Sequence, residues 1–473
     1  MRASSNASPG DSKGGSDKPI VVAGAGPAGL FVAWKLAQQG QRVIVLERES
    51  IVGGLAARVH IGENDFSYGT HHIHSPDPEQ LKPFQELMGA KLLELQRKLE
   101  IKFMGRFYPY PLRSKDLLLG MPPALMVSSL LSLGRSLVAS RFTSARPANA
   151  EQAIIALYGR RLYDVMFHEY TERFWGMPVE QISTTFVEQR MPGINAIEKF
   201  KQVLSRLGAI GKDGLGKTAV IGSGAMFTTA KGVGPVFEEM AGEVERLGGE
   251  VRTDGALMAV KTEDGRVSAV VHESASGPRE IACHALVSTI PLTHLARSLT
   301  PLPPAAVLSA SSRLTFRALL AVALVVRPKR RLQAMFTYFP DRIFHRLSEL
   351  GSPVANVSPG GATILLAELT CDVGDALWQN PSSIEQQVID DVVAEGLADR
   401  DGILEVHYLR TPQAYPRYEL GFEASLQTLQ EHLAQFPNLV STGRQGTFQF
   451  TSAIPAMSMA WKHSKEMLAR SEL

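Results

Sequence analysis

The sequence predicts an α/β fold in which a Rossmann-type dinucleotide-binding domain is interleaved with a mixed-sheet domain and a helical insertion. Three observations predict it. A βαβ pattern fills residues 19–58 and carries Gly24-x-Gly26-x-x-Gly29 between its first strand and its helix. Patterning of the same kind resumes near residue 220 and again near 439. Between those returns lie helix-rich stretches and one long apolar strand, Arg317 to Val326.

The βαβ unit assigns each residue a physical task. Ile20 to Ala23 is a short apolar strand, and the helix after Gly29 has an apolar face. Gly24 makes the tight turn, Gly26 admits a pyrophosphate close to the backbone, and Gly29 lets helix and sheet approach. The helix N-terminus offers free N–H groups and the positive end of its dipole to phosphates. A second apolar run, Val43 to Leu46, ends on Glu47, an acceptor for ribose hydroxyls. Gly53 and Gly54 follow at the E-x(5)-GG spacing, which resembles FAD enzymes rather than NAD dehydrogenases. FAD is therefore the expected cofactor.

Composition bounds the rest. A chain of 473 residues with 44% hydrophobic and 20% charged residues can build several cores. The net charge of +2 gives no reason to expect nucleic acid as a partner. Two distant cysteines, Cys283 and Cys371, form no CxxC, so neither a disulfide framework nor a zinc knuckle is expected. That usage fits a reducing, cytoplasmic setting. Residues 1–18 are polar and lack an apolar core segment, as expected of a disordered tail and not of a signal peptide. The most apolar stretch, Leu117 to Gly134, is broken by Gly120, Pro122 and Pro123. It is expected to form buried or surface-docking helices, with peripheral membrane contact as the minor alternative and no transmembrane segment. The basic run from Arg327 to Arg331 reads as a solvated loop.

Farther along, 149–182 reads as helical, and 196–207 as an amphipathic helix ended by Gly208. Gly211 to Thr218 matches the phosphate-loop pattern G-x(4)-G-K-T. It follows a helix and not a strand, so no nucleotide triphosphate is expected there. Pro235 opens a helix that Gly248-Gly249 closes. Strands are expected around Val251, Leu257 to Val260, Val267 to Val271 and Leu286 to Ile290. The expected division is a tail (1–18), an FAD-binding domain (19–75, 220–300 and 435–473), a mainly helical insertion or lid (76–219) and a substrate-binding domain (301–434).

Several blocks, in order, resemble the FAD-dependent amine oxidase superfamily, in its protoporphyrinogen-oxidase-like and UDP-galactopyranose-mutase-like branches. They are Gly69-Thr-His71-His-Ile-His74-Ser75, Gly105 to Leu112, Gly159 to Tyr163, Tyr170-Thr-x-x-x-Trp175-Gly-x-Pro178, Val287 to Leu292 and Gly443-Arg444-x-Gly446. The resemblance implies a glutathione-reductase-like FAD domain. It places Arg48, Leu55, Leu257, Gly443, Arg444 and Met457 with the glycines and Glu47 as cofactor contacts. It sets Arg444 beside the pyrophosphate, where a guanidinium fork suits a diphosphate, and His71 against the flavin ring as the catalytic candidate. His72 and His74 share a strand face, but no carboxylate or cysteine set completes a metal site, so no metal is expected. Tyr170, Trp175, Arg190, Arg317, Tyr415 and Phe450 are the substrate-pocket candidates. For Arg317 the residue type argues by itself, because a charge inside an apolar strand needs a partner or an anionic ligand.

The chain departs from the mutase pattern after the Gly-Arg turn. Phe450 stands where a tyrosine is needed and Ser452 where an aspartate is needed. A tyrosine hydroxyl on a diphosphate contributes about 1.5–3 kcal/mol, which Phe450 cannot supply. The expected activity is an FAD-dependent oxidoreductase that moves hydride from a small organic substrate to the flavin. The alternatives are a non-redox nucleotide-sugar mutase and a flavin-bound protein without turnover.

Overall fold

The computed structural model describes residues 18–95, 98–110, 120–142, 146–190, 225–350 and 361–471. The expected helix at 196–207 and the glycine loop at 211–218 lie outside the described residues, as does nearly all of the expected tail.

A five-stranded parallel sheet forms the first layer, in the order Glu250–Arg252, Val43–Leu46, Ile20–Ala23, Ala285–Ser288, Leu439–Ser441. We call Ile20–Ala23 β1, the helix Pro27–Gln38 α1 and Val43–Leu46 β2. β1 is central and its four residues are all buried, which is why it reads as a continuous apolar run and not an alternating one. Its strands come from three distant parts of the chain. The helices Pro27–Gln38, Gly234–Arg246 and Ala453–Ser471 pack on one face around Trp34, Phe237 and Met240.

A seven-stranded sheet forms the second layer: Ile403–Pro416, Phe316–Val326, Thr363–Cys371, Arg346–Leu350, Phe336–Tyr338, Leu99–Phe103, Arg106–Pro109. The pairing is antiparallel except between Phe336–Tyr338 and Leu99–Phe103, so the sheet is mixed. Residues 93–94 and 99–109, expected inside a mainly helical insertion, are strands instead. A hairpin turned at Met104-Gly105 carries 99–109 onto the edge of the second sheet, while Leu93–Glu94 pairs with Met226–Thr228 in a separate three-stranded sheet. Met104 and Gly105 both have positive φ. The remainder of that segment is helical: Pro123–Phe142, Ala150–Tyr158 and His168–Trp175 among others.

The strands expected around Val251, Leu257, Val267 and Leu286 occur at Glu250–Arg252, Leu257–Glu263, Arg266–His272 and Ala285–Ser288. The basic run near 330 is not simply solvated. Lys329 pairs with Asp399, Arg331 with Glu349, and Arg330 donates to the Glu395 carbonyl. Both cysteines are buried and free, and burial pushes each thiol up to about 12. Among the described residues no helix is long and apolar enough to cross a membrane.

Candidate functional site

The glycine turn and the second glycine pair face each other. Gly53 donates from its backbone to the Ala25 carbonyl at 2.8 Å, which draws the two turns together. A Cβ on Gly26 would have only the Gly54 Cα within 4 Å, at 3.9 Å. A Cβ on Gly29 would lie 1.9 Å from the Gly24 carbonyl oxygen. These glycines therefore serve different purposes. Gly29 is demanded by the fold itself, whereas Gly26 keeps open a space that the chain does not fill. Gly26 is also the residue before α1, with Pro27 at its first position and no side chain capping it. An open, backbone-lined groove at a helix N-terminus fits a diphosphate.

Glu47 follows β2 at one end of this groove. Its carboxylate accepts from Ala25 N at 2.7 Å and Glu49 N at 3.0 Å, so it braces the glycine turn and keeps further lone pairs. The loop before Leu257 is pinned at the same end, since Gly255 donates to the Glu47 carbonyl at 2.7 Å. Leu257 is buried and its carbonyl accepts from His294 at 3.3 Å. Arg48 is exposed and pairs with Glu49, and Met457 is buried in the core beside the parallel sheet. Leu55, in the turn Gly54–Ala56, leads to the other end of the groove.

That other end opens into a cleft whose lining includes Ala57, Arg58, His71, His72, Thr229 and Glu349. An extended dinucleotide would thus run from Glu47, past Gly26 and Gly54, to His71. The His71 Nδ1 lies 3.0 Å from the Gly69 carbonyl. A carbonyl only accepts, so Nδ1 carries the proton and Nε2 holds a lone pair in the neutral ring. Burial, then the charges of Arg346 and Arg444, lower His71 to about 4, against the opposing pull of Gly69. Burial and neighbouring His71 and Arg346 lower His72 to about 3. Near neutral pH His71 is therefore a hydrogen-bond acceptor and not a cation.

Arg346 was not among the residues singled out from sequence. It forks onto Glu368, with Nε to Oε1 at 2.8 Å, and lies over the Phe336 ring at 4.7 Å. Burial works against its charge, and Glu368 overrides burial and holds it firmly protonated. A Cβ on Gly69 would meet the His71 ring at 3.2 Å and the Arg346 guanidinium at 3.4 Å, so loop and ion pair are in close register. The available sequence clue is Glu368, the single charge in the otherwise apolar strand Thr363–Cys371.

The remaining candidates separate into wall and core. Tyr415 and Phe450 stack at 5.5 Å and 21°, with the Arg444 guanidinium 5.4 Å and 4.4 Å from their centroids. Arg444 donates to the carbonyls of Ala414 at 2.6 Å and Thr451 at 2.9 Å. Its guanidinium thus bridges the strand Ile403–Pro416 and the segment after its own helix. Its neighbour Gly443 is the residue that approaches α1, at Ala28. Tyr170 meets Phe174 and His345 at the start of this wall.

Trp175 and Arg317 differ from expectation. Trp175 is 1% exposed, edge-on to Phe186 and Phe174, so it is core and does not line an accessible pocket. Arg317 has protein partners and needs no anionic ligand. It donates to the Phe174 carbonyl at 3.1 Å and pairs with Asp372 at 2.7 Å. A guanidinium at a helix C-terminus is stabilised by the exposed carbonyls and the dipole. Arg190 ends the helix Thr185–Arg190, and its side chain lies outside the described residues. Among the described residues no three of His, Cys, Asp and Glu converge on a metal-sized site.

Comparison with known proteins gives the same family. Residues 27–448 match the flavin containing amine oxidoreductase family. A probable UDP-galactopyranose mutase of Klebsiella pneumoniae is 22% identical over 182 residues, 37% of this chain and 46% of the relative. The match thus spans less than half of that relative's length. A crystal structure of reduced UDP-galactopyranose mutase superposes with a TM-score of 0.76 at 19% identity, over 96% of both chains. A putative protoporphyrinogen oxidase from Exiguobacterium sp. 255-15 gives 0.67 at 17% identity, over 97% of this chain and 100% of that one. Those likenesses establish the fold, a Rossmann-type domain joined to a mixed-sheet domain. With the family match across most of its length, the chain belongs to the flavin-containing amine oxidoreductases, and its cofactor is FAD.

Proposed function

We propose that the chain is an FAD-dependent oxidoreductase acting on a small, weakly charged organic substrate. Bound FAD supplies the two-electron acceptor. Gly24, Gly26, Gly29, Gly53, Gly54 and Glu47 would hold the dinucleotide. The observation that carries the reading is the state of Arg346 and Arg444, whose charges act on His71, and of Arg317 in the second sheet. Arg346 is neutralised by Glu368, Arg317 is spent on Asp372 and a helix end, and Arg444 is bonded to carbonyls between two aromatic rings. Such a wall favours an apolar or aromatic body over a diphosphate. Anaerobic mixing of the oxidised protein with a panel of amines, hydroxy compounds and cyclic amines tests this. Bleaching of the oxidised flavin by at least one class is expected, and bleaching by none contradicts it.

His71 is the proposed catalytic residue, with the Nε2 lone pair available to receive a hydrogen bond or proton. His71→Ala should retain FAD and slow flavin reduction at least about tenfold, at the low end of general acid–base effects. His72→Ala should leave the rate within about twofold. Because the neutral ring is the acting form, the rate should stay level from pH 8 to about 5 and fall as His71 protonates near 4. Equal reduction rates in wild type and His71→Ala would remove the assignment.

The same histidines predict how stability responds to acid. His71 and His72 have folded values below the unfolded value of about 6.5, and burial lowers His345 likewise. Between the two values the unfolded chain binds more protons, so stability is complete above about 6.5 and is lost as pH falls. His71 and His72 should each cost about 1–2 kcal/mol near pH 5. Urea titrations at pH 7 and 5 measure the difference, and equal midpoints would contradict it.

The second reading, a nucleotide-sugar mutase, is favoured by one observation: the block from Gly69 to Ser75 places His71 at the cleft as the mutase resemblance implies.

A further inference from the structure

We infer that the helix Pro123–Phe142 forms a docking surface for an anionic lipid bilayer. The helix presents its apolar side outward. Val127, Leu130, Leu131 and Val138 are 51%, 50%, 61% and 58% exposed. At 100° per residue, with Gly134, they fall within an arc of about 100°. The opposite side carries Leu125 and Ser129, which are buried against the protein. The helix is 20 residues long, and its exposed stripe from Val127 to Val138 runs about 17 Å.

The hairpin anchors the helix. Its Phe103 and Tyr108 pack with Met121 and Leu125 in one cluster, and Tyr108 donates to the Gly120 carbonyl at 2.9 Å. Hairpin and helix are therefore one unit, with Phe107 and Lys102 on the hairpin face turned away from the helix. An exposed apolar patch of this kind marks an interaction site.

Charge selects the occupant. Among the described residues of 104–146, Arg106, Arg135 and Arg146 are exposed and no acid is present. The whole chain is only +2, so the rest of it is net acidic. Arg135 is exposed and borders the apolar arc, and the helix has no acidic residue. A second copy meeting this face would set basic residues against basic residues. An anionic bilayer satisfies both components, because apolar side chains enter the interface while arginines meet the headgroups. No described helix is apolar enough to span, so the protein would lie on the membrane.

The test uses the full-length, FAD-loaded protein in flotation with phosphatidylcholine vesicles, with and without phosphatidylserine. Binding is expected only where phosphatidylserine is present, and it should weaken with salt. The double variant Leu130→Gln, Leu131→Gln should bind at least about tenfold more weakly, and Arg135→Glu about fivefold or more. Both should keep FAD content and thermal midpoint, since the substituted side chains face outward. Absence of binding to phosphatidylserine vesicles would overturn the inference. So would equal binding by the double variant, or a wild-type dimer in solution that the double variant abolishes.

Discussion

Gly26→Val should release FAD and leave the polypeptide folded. The nearest atom to a Cβ at Gly26 is 3.9 Å away, and Gly26 has φ −75°, which any residue adopts. The apoprotein should therefore keep its stability within about 0.5 kcal/mol. The side chain would instead occupy the groove between Gly26 and Gly54, where the diphosphate needs close backbone approach. Affinity for FAD should fall at least a hundredfold, about 2.7 kcal/mol. Gly29→Ala is the matching control, because its Cβ would lie 1.9 Å from the Gly24 carbonyl oxygen. It should destabilise the apoprotein by about 1–3 kcal/mol or more. Apoprotein is the required reference, since bound FAD stabilises the fold by mass action. Wild-type FAD content in Gly26→Val would contradict the groove assignment.

Glu368→Ala should cost about 3–5 kcal/mol, the usual loss when one partner of a buried ion pair is removed. Glu368 and Arg346 are 3% and 19% exposed in their side chains, and Nη2 meets Oε2 at 2.5 Å. Leaving Arg346 uncompensated penalises the folded state alone. Replacing both partners, as Arg346→Met with Glu368→Leu, should recover most of that stability, since apolar pairs of similar volume are often neutral. It should not restore the acid limb of the rate profile. Without Arg346 one of the two charges depressing His71 is gone, so that limb should move to higher pH. Urea unfolding and a pH–rate profile read the two effects separately. A loss below about 1 kcal/mol in Glu368→Ala would show that the pair is solvated.

The dinucleotide domain is legible in sequence because its determinants are local. Gly24, Gly26, Gly29, Glu47, Gly53 and Gly54 lie within 31 consecutive residues, and each type has one backbone or polar task. The second domain is less legible because its pairings are long-range. Arg346 and Glu368 meet only across adjacent strands, 22 positions apart. Arg317 reads in sequence as a charge that needs a partner or an anionic ligand, and only the fold shows that the helix ending at Trp175 brings carbonyls to it. Trp175 carries the right residue type at the right spacing, yet packing against Phe186 and Tyr418 takes it into the core. The strands at 99–109 elude a reading by composition, since Leu99–Phe103 joins them to Phe336–Tyr338, more than 200 residues away.

The most direct test of the proposed oxidoreductase concerns the competing reaction. Dithionite-reduced protein is incubated with UDP-galactopyranose and the products are resolved by chromatography. With Phe450 in place of a diphosphate-bonding tyrosine, and Arg317, Arg346 and Arg444 each engaged within the protein, no conversion is predicted at enzymatic rates. Conversion at about 1 s⁻¹ or faster, typical of a committed enzyme, would contradict the account and make the chain a mutase.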